Sequence, residues 1–303
     1  MPAATLLFAH GGGFCKEIWD PIIRRLKSSP VVQQVATEFV TFDFPYHGTK
    51  RDESVAPQVD VNGLRVSHPA QNLVPSTTAE VRRQVQLIRE KHDAKEPRPA
   101  LIGIGHSMGA GALWNAEVRD PGTFDALIMF EPVYGLNDPQ RADEVTSFLV
   151  SVTLQRESTW TSRLEAETYF ENLNNFKTWD RESLAAYVRG ALVEDEATGK
   201  TVLACHPHIE ASLYCHKVLS FNDEELKRPK CPVRFHYGER SNMFFTPWFE
   251  HAVEKCPDIY LIDEPMKKCS HLLVLEDPET TTNKIVGDLA KINPFFSEPS
   301  SRI

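Results

Sequence analysis

Ala100-Leu101-Ile102-Gly103-Ile104-Gly105-His106-Ser107-Met108-Gly109-Ala110-Gly111-Ala112-Leu113-Trp114 decides how the rest of the chain is read. The apolar run Ala100–Ile104 leads at once into G-x-S-x-G over Gly105–Gly109, then into the helix-compatible Ala110–Trp114. A serine oxygen held clear of the backbone needs a sharp strand-to-helix turn. Small residues two before and two after it let the neighbouring chain pass closely. A helix beginning there also points its N-terminal dipole at developing negative charge. In this setting Ser107 is a candidate nucleophile, whereas a bare G-x-S-x-G arises readily by chance.

Five further apolar runs flank that stretch: Thr5–Ala9, Phe39–Phe42, Ala126–Phe130, Val233–Tyr237 and Ile259–Ile262. Near-continuous apolarity, rather than alternation, is expected of parallel strands buried on both faces. Helical patterns separate them. Thr77 to Lys91 repeats Val81, Val85 and Ile88 on one face, while Thr246-Pro247 and Asp277-Pro278 read as helix starts. The spacing predicts an α/β fold, a mostly parallel sheet of about six strands with helices on both faces.

The alternation breaks between Pro132 and Lys230, where helices are predicted over Asp143–Gln155, Ser162–Asn172, Arg181–Val193 and Ile209–Leu219. Residues 1–131 and 231–293 are therefore expected as the core, with 132–230 as an inserted helical lid over the sheet's carboxyl edge, where ligands bind in open α/β sheets. A purely structural subdomain is the alternative. Residues 294–303, rich in Pro and Ser, are expected as a flexible tail. The stretch Arg51–Ser76 has little periodicity.

Composition removes several function classes. The 303 residues carry 33 Lys+Arg against 42 Asp+Glu, a net charge of -9 that argues against duplex nucleic-acid binding. No apolar run approaches the roughly 18 residues that cross a bilayer. Met1–His10 lacks the basic start and cleavage pattern of a secretory signal. The six Cys form no C-x-x-C pair, which points to a reducing compartment.

Ser107 needs a base, an acid and oxyanion donors. His271, after the last apolar run and before the final helix, is the candidate base and gives the chain order Ser…acid…His. Glu131 directly follows the run Ala126–Phe130 and is the candidate acid. Glu239 in Gly238-Glu239-Arg240-Ser241 is an alternative, and Asp263 a weaker one. Ser241 stands where the commonest acid position, Gly-x-x-Asp, would carry its carboxylate. The Met108 N–H and a glycine N–H from His10-Gly11-Gly12-Gly13-Phe14 are the candidate oxyanion donors, Gly12 first and Gly13 in the alternate register. His10, His47 and His106 read as structural or pocket-lining. The Gly run lacks the endings of a phosphate-binding loop.

With these motifs the chain resembles the α/β-hydrolase superfamily, joined at the strand usually counted third. More narrowly, Gly13-Phe14-Cys15-Lys16-Glu17, Phe176-Lys177-Thr178-Trp179-Asp180 and Cys205-His206-Pro207-His208-Ile209-Glu210-Ala211 are similar to fungal peroxisomal lipase-like and acyl-CoA hydrolase-like proteins. That resemblance favours Glu131 as the acid. It also implies carboxylester or acyl-CoA thioester hydrolysis through a Ser-His-Glu triad and an acyl-enzyme, without a cofactor. Ser301-Arg302-Ile303 is similar to a Ser-Lys-Leu address for the peroxisomal import receptor, with Ile in place of Leu, so peroxisome and cytoplasm both stand as locations. The alternative is a non-catalytic binding or interaction module. Cys205, His206, His208, Cys215 and His216 lie close in sequence but lack zinc-ligand spacing, so no metal is expected. Leu226-Lys227-Arg228-Pro229-Lys230 reads as a solvated basic face, or as a contact for coenzyme A phosphates.

Overall fold

A computed structural model describes residues 3–92, 97–135 and 138–296. Six strands form one sheet: β1 (Ala4–Ala9), β2 (Thr37–Phe42), β3 (Ala100–His106), β4 (Ala126–Phe130), β5 (Val233–His236) and β6 (Tyr260–Ile262). Their order is β2-β1-β3-β4-β5-β6, and every neighbouring pair is parallel. Each of the six predicted runs is a strand of this sheet. Successive side chains take opposite faces, which is why the runs are apolar throughout. Leu7, Leu127, Met129, Val233 and Phe235 pack beneath α2 (Leu73–Glu90), α3 (Met108–Arg119) and α4 (Thr246–Lys255). Leu6, Phe8, Ile102, Ile104, Ile128 and Phe130 pack against α1 (Asp20–Lys27) and α5 (Pro278–Leu289).

Register sets the position of the functional loops. Ala9 pairs with Gly105, His106 with Phe130, and Phe130 with His236. Strands β1, β3, β4 and β5 thus end level at their carboxyl edge. The loops that follow them emerge side by side where the strand order reverses between β1 and β3, the usual crevice of such sheets.

The inserted region is mostly helical, as expected, but also contains strands that the sequence reading does not show. Helices run over Pro139–Leu154, Arg163–Asn172, Arg181–Ala191 and Pro207–Tyr214, but Thr159–Trp160, Lys200–Leu203 and Leu192–Asp195 form an antiparallel three-stranded sheet. The predicted helix ending at Val193 stops at Ala191 and continues as strand. Asp195 turns the chain by accepting from the Thr198 N–H and hydroxyl, and Gly199 takes φ +66. Trp160, Phe170, Trp179 and Tyr187 of this region join the core beside β1 and β4.

Two other expectations are adjusted. The 51–76 stretch carries a short hairpin, Gln58–Asp60 with Arg65–Ser67, and α2 starts at Leu73 rather than Thr77. Pro75 fits its first turn, where no backbone donor is needed. At the other end, Phe295 is buried in the core cluster, so the flexible tail does not begin at Pro294. Ser301-Arg302-Ile303 lies outside the described residues. No described helix is long and apolar enough to cross a membrane.

Candidate active site

Ser107 sits at φ 51, ψ -118, between the last residue of β3 and the first of α3. The turn is this tight because side chains are missing beside it. A Cβ on Gly105 would lie 2.6 Å from the Ala110 Cα, and one on Gly109 would lie 2.5 Å from the His10 carbonyl oxygen. The serine is therefore pushed out of the backbone plane at the sheet's rim.

His271 meets it there. The Ser107 hydroxyl donates to His271 Nε2 at 3.0 Å, and His271 Nδ1–H donates to Glu131 Oε2 at 2.6 Å. An ionised carboxylate only accepts, so it fixes the proton on Nδ1 and leaves Nε2 free to take one. Glu131 is 2% exposed and also has positive φ, 48. Its N–H donates to the His236 carbonyl at 2.9 Å, while its carboxylate accepts from Gly238 N–H at 2.8 Å and from the Ser241 hydroxyl at 2.6 Å. Glu239 is instead exposed and accepts from Lys268 N–H. Asp263 pairs with Lys284 at 2.8 Å. Neither contacts His271.

The loop after β1 is held by a chain of neutral imidazoles. His10 Nδ1–H donates to Gly11 O at 2.8 Å and its Nε2 accepts from Phe44 N–H. Burial, with His47 beside it, pushes His10 down to about 3. His47 Nδ1–H donates to Pro45 O, and its Nε2 accepts from Gly13 N–H at 3.0 Å. The Gly13 amide is thus occupied. Among the described residues nothing accepts from the Gly12 or Met108 N–H, and a Cβ on Gly12 would lie 3.9 Å from Met108 Sδ. The Met108 amide directly follows Ser107 in the chain, and the Gly12 backbone lies near the Met108 side chain. Asp43 underpins the loop by accepting from the Lys16 and Thr49 N–H groups and from their side chains. Against the opposing effect of burial, His10 and these donors hold its carboxyl at about 2.

Three further groups support the triad: His106, which the sequence reads as structural or pocket-lining, and Ser241 and His236, to which it assigns no role. His106, within the elbow motif, donates Nε2–H to the His271 carbonyl at 2.8 Å. Burial, together with the nearby His271, keeps it neutral, at about 3. Ser241 donates to the acid, as above. His236, whose carbonyl receives the Glu131 N–H, is buried between Asp288 Oδ2 at 2.8 Å and Asp263 Oδ2 at 3.3 Å. Burial opposes charge there, but the two carboxylates outweigh it and raise the imidazole's pKa. A raised folded-state value stabilises the fold fully below the unfolded value, ordinarily about 6.5, and that contribution is lost as pH climbs through the folded value. The thermal midpoint is expected to fall as pH rises above 6.5, with a shallower slope in His236→Asn. Equal slopes in melting curves across that range would contradict it.

Other side chains singled out from the sequence have local roles. His206 Nδ1 accepts from His208 N–H as a helix cap, and His216 Nδ1–H donates to Leu213 O. No three His, Cys, Asp or Glu side chains gather as metal ligands among the described residues. In the basic stretch, Arg228 donates to Arg119 O and Lys230 N–H to Glu117, at the end of α3 away from Ser107. The 12 residues of α3 put that end about 18 Å from the elbow.

A parallel sheet ordered in this way, with a strained serine elbow at its rim, defines an α/β enzyme fold. The sequence pattern of the alpha/beta hydrolase family matches residues 6–283, and the chain belongs to that family. It is similar to the abhydrolase domain-containing protein AFT2-1 of Alternaria alternata, 30% identical over 96 residues, covering 32% of this chain and 35% of the relative. It is also similar to the type I acyl-CoA thioesterase mpaH of Penicillium roqueforti, 25% identical over 162 residues, 53% of this chain and 34% of that protein. The matched segments thus span about a third of these relatives' length. In fold, it is similar to the peroxisomal alpha-beta-hydrolase Lpx1 of Saccharomyces cerevisiae, with TM-score 0.71, 18% identity, and coverage of 99% of this chain and 79% of that one.

Proposed function

We propose that the protein is a serine hydrolase of carboxylic esters or acyl thioesters, working through a Ser107-His271-Glu131 triad and an acyl-enzyme. The observation that carries this reading is the continuous proton path, Ser107 Oγ–H to His271 Nε2 and His271 Nδ1–H to Glu131. As Ser107 Oγ attacks the carbonyl carbon, its proton passes to Nε2, and Glu131 stabilises the imidazolium. The carbonyl oxygen gains negative charge next to the Met108 and Gly12 amides, each worth about 10²–10³ in turnover when such a donor is removed elsewhere. The tetrahedral intermediate collapses, the C–O or C–S bond breaks, and His271 returns the proton to the leaving alcohol or thiol. Water then attacks the acyl-enzyme by the same path and frees Ser107.

Residues 132–230 act in this reading as the lid. Leu213, on the inserted helix Pro207–Tyr214, lies 3.6 Å from where a Gly12 Cβ would stand, so an apolar side chain of the insertion overhangs the oxyanion loop. An apolar acyl group is the matching substrate. The likeness to an acyl-CoA thioesterase supports a coenzyme A thioester as one substrate class.

A fluorophosphonate probe is expected to label the folded protein stoichiometrically and to leave Ser107→Ala unlabelled at equal thermal stability. Absence of labelling on the folded parent would favour a non-catalytic binding module instead.

A further inference from the structure

We propose that Ser241 is a positioning residue for the acid, holding Glu131 in line with His271. This rests on the triad reading above and names a further member of the same site. The segment Gly238–Ser241 is a tight turn, closed by Ser241 N–H donating to Gly238 O at 3.0 Å. Both of its ends reach Glu131: Gly238 N–H bonds Oε1, and the Ser241 hydroxyl bonds Oε2. Oε2 is also the oxygen that accepts His271 Nδ1–H, so two donors converge on one atom. The hydroxyl's direction is fixed as well. Met243 N–H donates to Ser241 Oγ at 3.2 Å, which occupies a lone pair and leaves the hydroxyl proton for the carboxylate.

The same turn grips the chain that leads into His271. Arg240 N–H donates to the Cys269 carbonyl at 2.9 Å, and Arg240 also reaches the Lys268 carbonyl. A Cβ on Gly238 would lie 2.5 Å from the Ser270 carbonyl oxygen, so the two segments are in direct backbone contact. One four-residue turn therefore carries donors for the acid and anchors for the base. It sets their mutual position without touching the nucleophile. Glu131 needs such support because it sits at positive φ, where a non-glycine residue persists only if its surroundings hold it.

Losing one hydrogen bond to a charged group has a large effect at a geometry-sensitive step. Ser241→Thr keeps the hydroxyl, and Ser241→Val has the same branched shape as that variant without the hydroxyl. With a p-nitrophenyl ester, Ser241→Val is expected to lose about 10–100-fold in kcat with little change in KM, and Ser241→Thr to stay within about threefold of the parent. Without the serine proton, the carboxylate's charge is less shared and binds the imidazolium more strongly. The acid limb of kcat/KM should then move to higher pH in Ser241→Val. In a Glu131→Gln background the same substitution is expected to cost less than about threefold, because coupled groups are not additive. Equal kcat for the Val and Thr variants, an unmoved acid limb, or full additivity with Glu131→Gln would each overturn the assignment. An inactive, unlabelled parent would overturn the triad reading itself, so the two failures are distinguishable.

Discussion

Glu131→Gln is expected to reduce ester turnover by about 10⁴-fold, the cost of neutralising the comparable carboxylate in a serine-protease triad. Glu239→Gln is expected to remain within about twofold of the parent, since surface groups away from the chemistry have small effects. The contrast follows from geometry. Glu131 Oε2 lies 2.6 Å from His271 Nδ1, inside a cradle of two donors, while Glu239 is exposed and bonded to the Lys268 amide. A glutamine could keep the shape but would offer His271 an amide in place of a charge. If its NH2 faced the ring, Nδ1 would have to accept, and the proton would shift to Nε2, where it blocks removal of the Ser107 proton. Stopped assays of purified variants with matched thermal midpoints would decide the matter. Collapse in Glu239→Gln with near-normal turnover in Glu131→Gln would reverse the assignment.

Gly109→Ala is expected to destabilise the fold by about 3 kcal/mol or more, because the added methyl cannot be relieved by a rotamer change. Its Cβ would meet the carbonyl oxygens of both Ala9 and His10, so β1 and α3 would have to separate. For a chain of this size that corresponds to a fall of roughly 5 °C or more in thermal midpoint, or to loss of soluble protein. Gly287→Ala is the control. Gly287 lies within α5 with nothing within 4 Å of its added Cβ, so the same substitution should be neutral or stabilise by up to about 1 kcal/mol. Equal melting of Gly109→Ala and the parent would show that the elbow tolerates a gap absent from this structure.

What could be read from the sequence follows from what each feature requires of it. Strands buried on both faces must be apolar at every position, so Ala126–Phe130 and its counterparts stand out without any partner in view. The three short strands of the insertion announce themselves less well. Leu192–Asp195 is partly exposed and continues a helical pattern without a break, so the helix predicted there ran two residues past Ala191. Ser107 was legible because the steric demands of its turn force glycine on both sides. The order along strand ends, a property of topology, singled out His271 but left Glu131, Glu239 and Asp263 open as its partner, because all three follow strands of the same sheet edge; which carboxylate reaches the ring depends on the packing that places Glu131 Oε2 at 2.6 Å. Ser241 was noticed only as a substitution of a carboxylate. Its partnership with Glu131 spans 110 residues and depends on the level ends of β4 and β5, and no local pattern encodes it.

The path by which the chain leaves the sheet after Glu131 bears on protein engineering. Val133 N–H donates to the Ser107 carbonyl at 3.1 Å, and a Cβ on Gly111 would lie 2.8 Å from Val133 O. Two residues later, Gly135 N–H donates to the Leu219 carbonyl at 2.9 Å, stitching the outgoing strand of chain to the returning one. Residues 132–134 thus belong mechanically to the elbow, although they come after the last core strand before the insertion. A transplant of this segment between scaffolds has its seam at the Gly135–Leu219 neck. A cut made flush with β4 would remove a brace from beneath the nucleophile.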